Sequence, residues 1–330
     1  MKTVTLGCAP FTVAQIGLGC MGMSEFYGPT DDELSSQVLN EAIDLGVDFF
    51  DTSDFYGQGH NEGLIKNVLK SRREQVRVAT KFGIVRNSPG SYSRGLNNRP
   101  EYIREACEAS LTRLGREIID LYYIHRLDPS VEVEDSVGEL GRLVAEGKIR
   151  AIGLCEVSAE TLRRAHAVHP IAAVQSEYSL WTRIAEKEVL PAARQLGVAF
   201  VAYSPLGRGM LTGKITNVEA LADGDFRANL PRFQGQNFDE NMNLVATLQS
   251  LADDLQCTPG QVSLAWLLAQ GDDVIPIPGT RRLNYLRENI AAGEVELSDE
   301  DLARISTALP NGAASGDRYT PEGMKGVEMV

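Results

Sequence analysis

"GVDFFDTSDFYGQGHNE" occupies residues 46–62. Its first part, "GVDFF", is apolar enough to read as a buried strand. The strand closes on a carboxylate, Asp51, and a phenol, Tyr56, follows five residues later, just before a glycine. The same pattern, an apolar run closing on an ionisable group, recurs twice. "VRVATK" (76–81) ends on Lys81 and "DLYYIH" (120–125) ends on His125. With "QIGLG" (15–19), "IRAIGL" (149–154), "AAVQSE" (172–177), "VAFVAYS" (198–204) and "DVIPIPG" (273–279), the chain offers eight strand segments.

Helical stretches separate them. "TDDELSSQVLNEAIDLG" opens with a capping-box pattern, Thr30 to Glu33, and stops at Gly46. "TPGQVSLAWLLAQG" carries a second box, Thr258 to Gln261, with Pro259 at the first helical position. "RPEYIREACEASLTRLG", "SAETLRRAHAV" and "IAEKEVLPAARQLG" also read as helices. Strand–helix alternation repeated eight times predicts a parallel sheet closed into a (β/α)8 barrel of the TIM type. "KTVTLG" and "FTVAQIG" predict an N-terminal hairpin over residues 1–14, turned at "CAP". The polar stretch 207–243 reads as a long loop after strand seven, and residues 293–330 as a C-terminal extension of one domain. An open doubly wound sheet is the rival. Its fingerprint, "GLGCMG" (17–22), has no acidic residue at the right distance on a second strand: Asp51 lies more than thirty residues on.

The chain has 330 residues and a formal net charge of -13, which argues against a nucleic-acid footprint. No apolar run approaches a membrane span. The five cysteines are scattered and odd in number, which predicts reduced thiols and a cytoplasmic setting. Four histidines form no metal-ligand spacing, so no metal is expected.

In a barrel, chemistry sits where strands end. Asp51, Lys81 and His125 terminate successive strands, and Tyr56 lies on the loop beside them. A lysine ammonium next to a phenol favours the phenolate and lowers its pKa. Asp51 would hold the lysine charged, and a histidine can donate to a carbonyl oxygen. Such a set suits a carbonyl that accepts hydride and then a proton.

These pieces, "DTSDFYG", "ATKFG", "YYIHRLDP", "QSEYSLW", "FVAYSPLGRGMLTGK" and "PIPGTRRLNYLREN", resemble the aldo-keto reductase superfamily, bacterial and plant members above all. The resemblance implies NADPH-dependent reduction of aldehydes or ketones, with Asp51, Tyr56, Lys81 and His125 as the catalytic tetrad. It places Gln175 on the nicotinamide amide and Tyr203 on the nicotinamide ring, with Asp51 also at the cofactor. Ser204, Leu206, Arg208 and Lys214 would line the pyrophosphate, and Arg227 would clamp the cofactor from the long loop. Gly279, Thr280, Arg281 and Arg282 would meet the adenosine phosphate, and Glu288 and Asn289 the adenine. Either arginine could make the phosphate contact. Tyr27, Phe55 and Trp181 are expected to wall a pocket for a small carbonyl substrate. One departure stands out: Cys155-Glu156 replaces the Ser-Asn common after strand five. Glu156 would accept from the nicotinamide NH2 but could not donate to its carbonyl. An alternative function is a regulatory module that binds NADPH with little turnover. Oligomeric state is not readable.

Overall fold

The computed structural model describes residues 1–86 and 94–328. The hairpin strands are β1 (Thr3–Thr5) and β2 (Thr12–Ala14), paired antiparallel with Val4 opposite Val13. The eight barrel strands are β3 (Leu18–Gly19), β4 (Phe49–Asp51), β5 (Arg77–Phe82), β8 (Ile119–Ile124), β9 (Ile149–Cys155), β10 (Ala173–Glu177), β11 (Ala199–Tyr203) and β12 (Val274–Pro276). All are parallel and ordered as in the chain, and each falls on a segment expected to be a strand. The first and last strands meet: Gly17 and Gly19 donate to the carbonyls of Pro276 (3.0 Å) and Pro278 (3.3 Å). That seam closes the barrel. An unforeseen hairpin, β6 (Ile84–Arg86) with β7 (Arg94–Leu96), rises from the end of β5.

The helices are α1 (Asp32–Asp44), α2 (His60–Arg72), α3 (Pro100–Leu114), α4 (Val133–Ala145), α5 (Ala159–Val168), α6 (Val189–Leu196), α7 (Gly235–Asp254), α8 (Pro259–Leu268), α9 (Leu283–Ala291) and α10 (Asp299–Ala308). The box at Thr258 and Gln261 forms as expected. The one expected at Thr30 does not: Asp31 is the N-cap and accepts from the Leu34 amide. Two capping residues stand side by side there, and the carboxylate takes the helix start. The long loop also ends earlier than residue 243, because α7 begins at Gly235. Its polar opening carries Phe238 and Met242, which pack on the core and draw the segment into a helix. "GLGCMG" runs into a single 3-10 turn, Met21–Met23, and no dinucleotide-binding helix follows it. The last two residues of the expected C-terminal extension lie outside the described residues.

Alternation along the strands sorts side chains into two layers. Phe50, Val78, Tyr122, Ile152, Val174 and Phe200 pack against the helices. Phe49, Ala79, Leu121, Tyr123, Ala151, Ala173 and Val201 fill the barrel, and Val4, Leu6 and Val13 of the hairpin join them as a floor. Gly153 is dictated by this filling: a Cβ there would sit 2.3 Å from the Tyr123 ring. The inward positions one step further along each strand are Asp51, Lys81, His125, Cys155, Gln175 and Tyr203. The floor is apolar and sealed, so the polar inward groups gather at the opposite mouth.

Candidate active site

Asp51 and Lys81 come from adjacent strands, and Asp51 pairs in register with Ala79, two residues before Lys81. Both are buried, Lys81 completely. The Lys81 ammonium donates to Asp51 Oδ1 and to the Thr52 carbonyl at 2.8 Å. Asp51 Oδ2 accepts from Gln175 Nε2 at 2.7 Å, a bond that crosses the barrel from β10 to β4. Burial works against the ammonium's charge, but the groups around it, Asp51 first among them, together raise the Lys81 pKa and keep it charged.

Tyr56 stands above this pair. Its hydroxyl lies 3.4 Å from Lys81 Nζ, and the ammonium sits 5.1 Å from the ring centroid. Contrary to expectation, the phenol pKa is raised: burial outweighs the pull of Lys81. The group is therefore a protonated phenol with a cation in place to receive the phenolate it would leave. His125 crosses the Tyr56 ring nearly edge-on, centroids 5.8 Å apart. Burial, and then the charges of Arg126, Lys81 and Arg94, hold the imidazole neutral. Its Nδ1 lies 3.2 Å from Ser53 Oγ. With Ser53 donating there, Nε2 carries the proton and can serve as a donor.

The loop carrying Tyr56 is fixed by buried polar groups. Thr52 and Asp54 amides donate to the carbonyls of Ala79 and Lys81 on β5 at 2.8 and 3.2 Å. Asn61 accepts from the Thr52 hydroxyl at 2.6 Å and donates to the Cys20 carbonyl at 2.9 Å. Gly57, Gln58 and Gly59 all take left-handed conformations, which turn the chain straight into α2. Phe55 and Tyr56 share an apolar group with Ile84, Met21, Phe26 and Leu96. The last four were not anticipated as pocket residues. Tyr27 stays near this wall through Phe226, 5.2 Å away. Trp181 is not in that group: it packs against Gly207, and the Arg232 guanidinium lies 5.2 Å from its ring.

Cys155 and Glu156 are both buried. The Cys155 thiol is pushed up to about 12, mainly by burial, so it is no nucleophile. Glu156 is buried in a left-handed conformation (φ 56°). Its carboxylate accepts from Arg318 Nη1 (3.2 Å) and Nη2 (3.0 Å) and from the Glu177 amide (2.9 Å). Two of these bonds tie it to the C-terminal segment. That segment also brings Tyr319 to Tyr203, hydroxyls 3.0 Å apart. Both residues lie in "GDRY" (316–319), near the end of the chain.

The remaining expected residues lie after β11 and β12 and on α9. Ser204 and Arg208 take left-handed backbone conformations, strain that gathers where strands meet ligands. The Arg208 guanidinium pairs with Glu177 (3.2 Å) and stacks on Tyr319 (4.3 Å). The Leu206 carbonyl accepts from the Gly209 and Leu211 amides, holding that turn. Lys214 is exposed. Arg227 pairs with Asp225 at 2.6 Å and donates to the Arg208 carbonyl at 3.0 Å. Glu288 accepts from Thr258 at 2.7 Å, and Asn289 is buried beside it on α9. At the start of α9, Arg281 donates to the carbonyls of Pro29 and, at 2.8 Å, Tyr27. Thr280 Oγ1 accepts from the Arg282 amide at 3.1 Å, next to exposed Gly279. Arg282 is exposed and lies over the Tyr285 ring at 5.5 Å.

The chain matches the model of the aldo/keto reductase family over residues 15–310. It is 47% identical to the probable aldo-keto reductase 1 of Glycine max over 97% of this chain and 92% of that protein. It is also 47% identical to the aldo-keto reductase yakc [NADP(+)] of Schizosaccharomyces pombe, over 94% of this chain and 92% of that one. Among solved structures, the glycerol dehydrogenase AKR11B4 of Gluconobacter oxydans superposes with a TM-score of 0.86 at 28% identity, covering 97% of this chain and 98% of that one. The fold, the gathered strand-end residues and matches of this length agree: the chain belongs to the aldo/keto reductase family.

Proposed function

We propose that this protein reduces aldehyde or ketone carbonyls to alcohols with NADPH, and that Tyr56 delivers the proton. The observation that carries the reading is the buried Asp51–Lys81 pair with the Tyr56 hydroxyl and a neutral His125 above it. The relative named as an NADP(+) enzyme supports the cofactor. So does the start of α9, where exposed Arg282, Thr280 and free helix amides offer a 2′-phosphate a ready anion site. Bound NADPH would supply the hydride. His125 and Tyr56 would then hold the carbonyl oxygen by hydrogen bonds, and the phenol would protonate it as negative charge develops. Lys81 stabilises the resulting phenolate, and Asp51 keeps Lys81 charged and in place. Gln175, by bonding Asp51, fixes the carboxylate's orientation. The direct test is a panel of aldehydes and ketones followed by NADPH consumption. A protein that binds NADPH tightly and turns over none of them is the regulatory module instead.

We assign the 2′-phosphate to Arg282, because Arg281 is already tied to the loop after β3. Arg282→Ala is expected to lose roughly 1.5–3 kcal/mol of NADPH affinity and almost none of NADH affinity. Arg281→Ala should weaken both cofactors alike by loosening the loop. Fluorescence titration with each cofactor reads the difference, and the opposite pattern reverses the assignment.

The long loop, which ends at Gln234, reaches across the mouth to the loop after β3. The Phe226 amide donates to the Phe26 carbonyl at 2.9 Å, and Arg227 lies over the Tyr27 ring at 4.9 Å. A strap that crosses the mouth in this way suits a lid that secures the cofactor and governs its release. Trypsin cutting after exposed Lys214 should slow several-fold when NADPH is bound. Equal cutting in both states removes the lid.

A further inference from the structure

The barrel mouth holds more positive charge than the tetrad and the cofactor require. Arg208 and Arg232 both reach Glu177, at 3.2 and 3.4 Å, and Arg318 is bonded to Glu156. Arg126, the residue after His125, has no such partner. It is 6% exposed, and among the described residues it forms no ion pair. One guanidinium nitrogen donates to the His125 carbonyl at 2.7 Å, and Nε is buried with no acceptor. The groups acting on it are the Tyr203 and Tyr319 hydroxyls, Glu156 and the Cys155 thiol. Glu156 is already committed to Arg318. From the β6–β7 hairpin, Arg94 adds to the positive potential: it donates to the carbonyls of Glu322 (3.3 Å) and Gly323 (3.0 Å), not to a carboxylate. A buried guanidinium with an empty N–H is costly, and its natural complement is a carboxylate.

The cofactor phosphates do not supply that complement. The proposed 2′-phosphate site lies beyond β12, four strands around an eight-strand ring from β8, which leads into Arg126, and the residues proposed for the pyrophosphate follow β11, three strands from β8. Arg126 instead adjoins His125, where the substrate carbonyl is held.

We propose that Arg126, reinforced by Arg94, forms an anion subsite beside His125, and that the enzyme prefers carbonyl substrates carrying a carboxylate. This rests on the reductase reading above. The test pairs 4-carboxybenzaldehyde with its methyl ester, in wild type and in Arg126→Met and Arg126→Lys. The acid is expected to have the higher kcat/KM in wild type. The acid-to-ester ratio should fall at least tenfold in Arg126→Met and be partly kept in Arg126→Lys, with thermal melts confirming folding. Benzoate and benzamide binding to the NADP+-loaded protein gives a readout without turnover: Arg126→Met should weaken benzoate alone. Benzoate binding that depends on Arg126, with no reduction of either aldehyde, keeps the subsite and rejects the reductase reading. A ratio unchanged by Arg126→Met overturns the subsite and leaves the reductase standing. A loss of NADPH affinity matching the loss for the acid overturns it too, making Arg126 a cofactor residue.

Discussion

Tyr56→Phe should lower kcat by about a hundredfold or more while leaving the fold and NADPH affinity essentially intact. The substitution removes one hydroxyl whose protein contact is the 3.4 Å approach of Lys81. The ring keeps its place between His125 and the Ile84 group. What disappears is the proton source, so the loss belongs to kcat, measured with saturating NADPH and a reactive aldehyde. The raised pKa of the phenol adds a sign. A donor must be protonated to act, so reductive turnover should hold until above the ordinary phenol value of about 10, and the alkaline limb beyond it should vanish in Tyr56→Phe. Turnover near that of wild type in the variant would place the donor elsewhere, with His125 the first candidate.

The Lys81–Asp51 pair should show itself twice, in rate and in stability. Lys81→Met and Asp51→Asn are each expected to cost a hundredfold or so in kcat, because each disables the same function: a charged, oriented ammonium under the phenol. Removing both should be about as damaging as the worse single change. Fully multiplicative losses would mean separate roles. Stability should behave more sharply still. Each single substitution strands a buried charge, a loss of about 3–5 kcal/mol. The double variant strands none, so its melting temperature should recover above both singles. A double variant that melts below both would show that the pair is not the unit described here.

The sequence made the frame of this site legible because two simple rules act together. Period-two alternation sends Asp51, Lys81 and Tyr203 inward, and the barrel's apolar floor leaves the strand ends as the place for polar groups. All eight strands followed from apolar runs closed by turns. What escaped was set by partners distant in sequence. Arg126 carries no mark in the sequence beyond being a cation after a strand, and only the fold buries it beside His125. Glu156, expected to accept from the nicotinamide amide, is also the partner of Arg318, 162 residues later. Trp181, expected as a pocket wall, packs against bare Gly207, a contact no local pattern announces. Lys81 was expected to lower the Tyr56 pKa, and only the depth of burial reverses the sign.

The seam that closes the barrel has a consequence for how the molecule assembles. Gly17 and Gly19 meet carbonyls some 260 residues further along the chain. Every other strand pair in the barrel joins neighbours in sequence, so this closure carries by far the largest loop entropy and forms late. A circular permutant that tethers the natural ends and opens the chain between α4 and β9 would make the seam a local contact and move the slow closure to the β8–β9 junction. Refolding rates of the two forms would then report which pairing limits assembly.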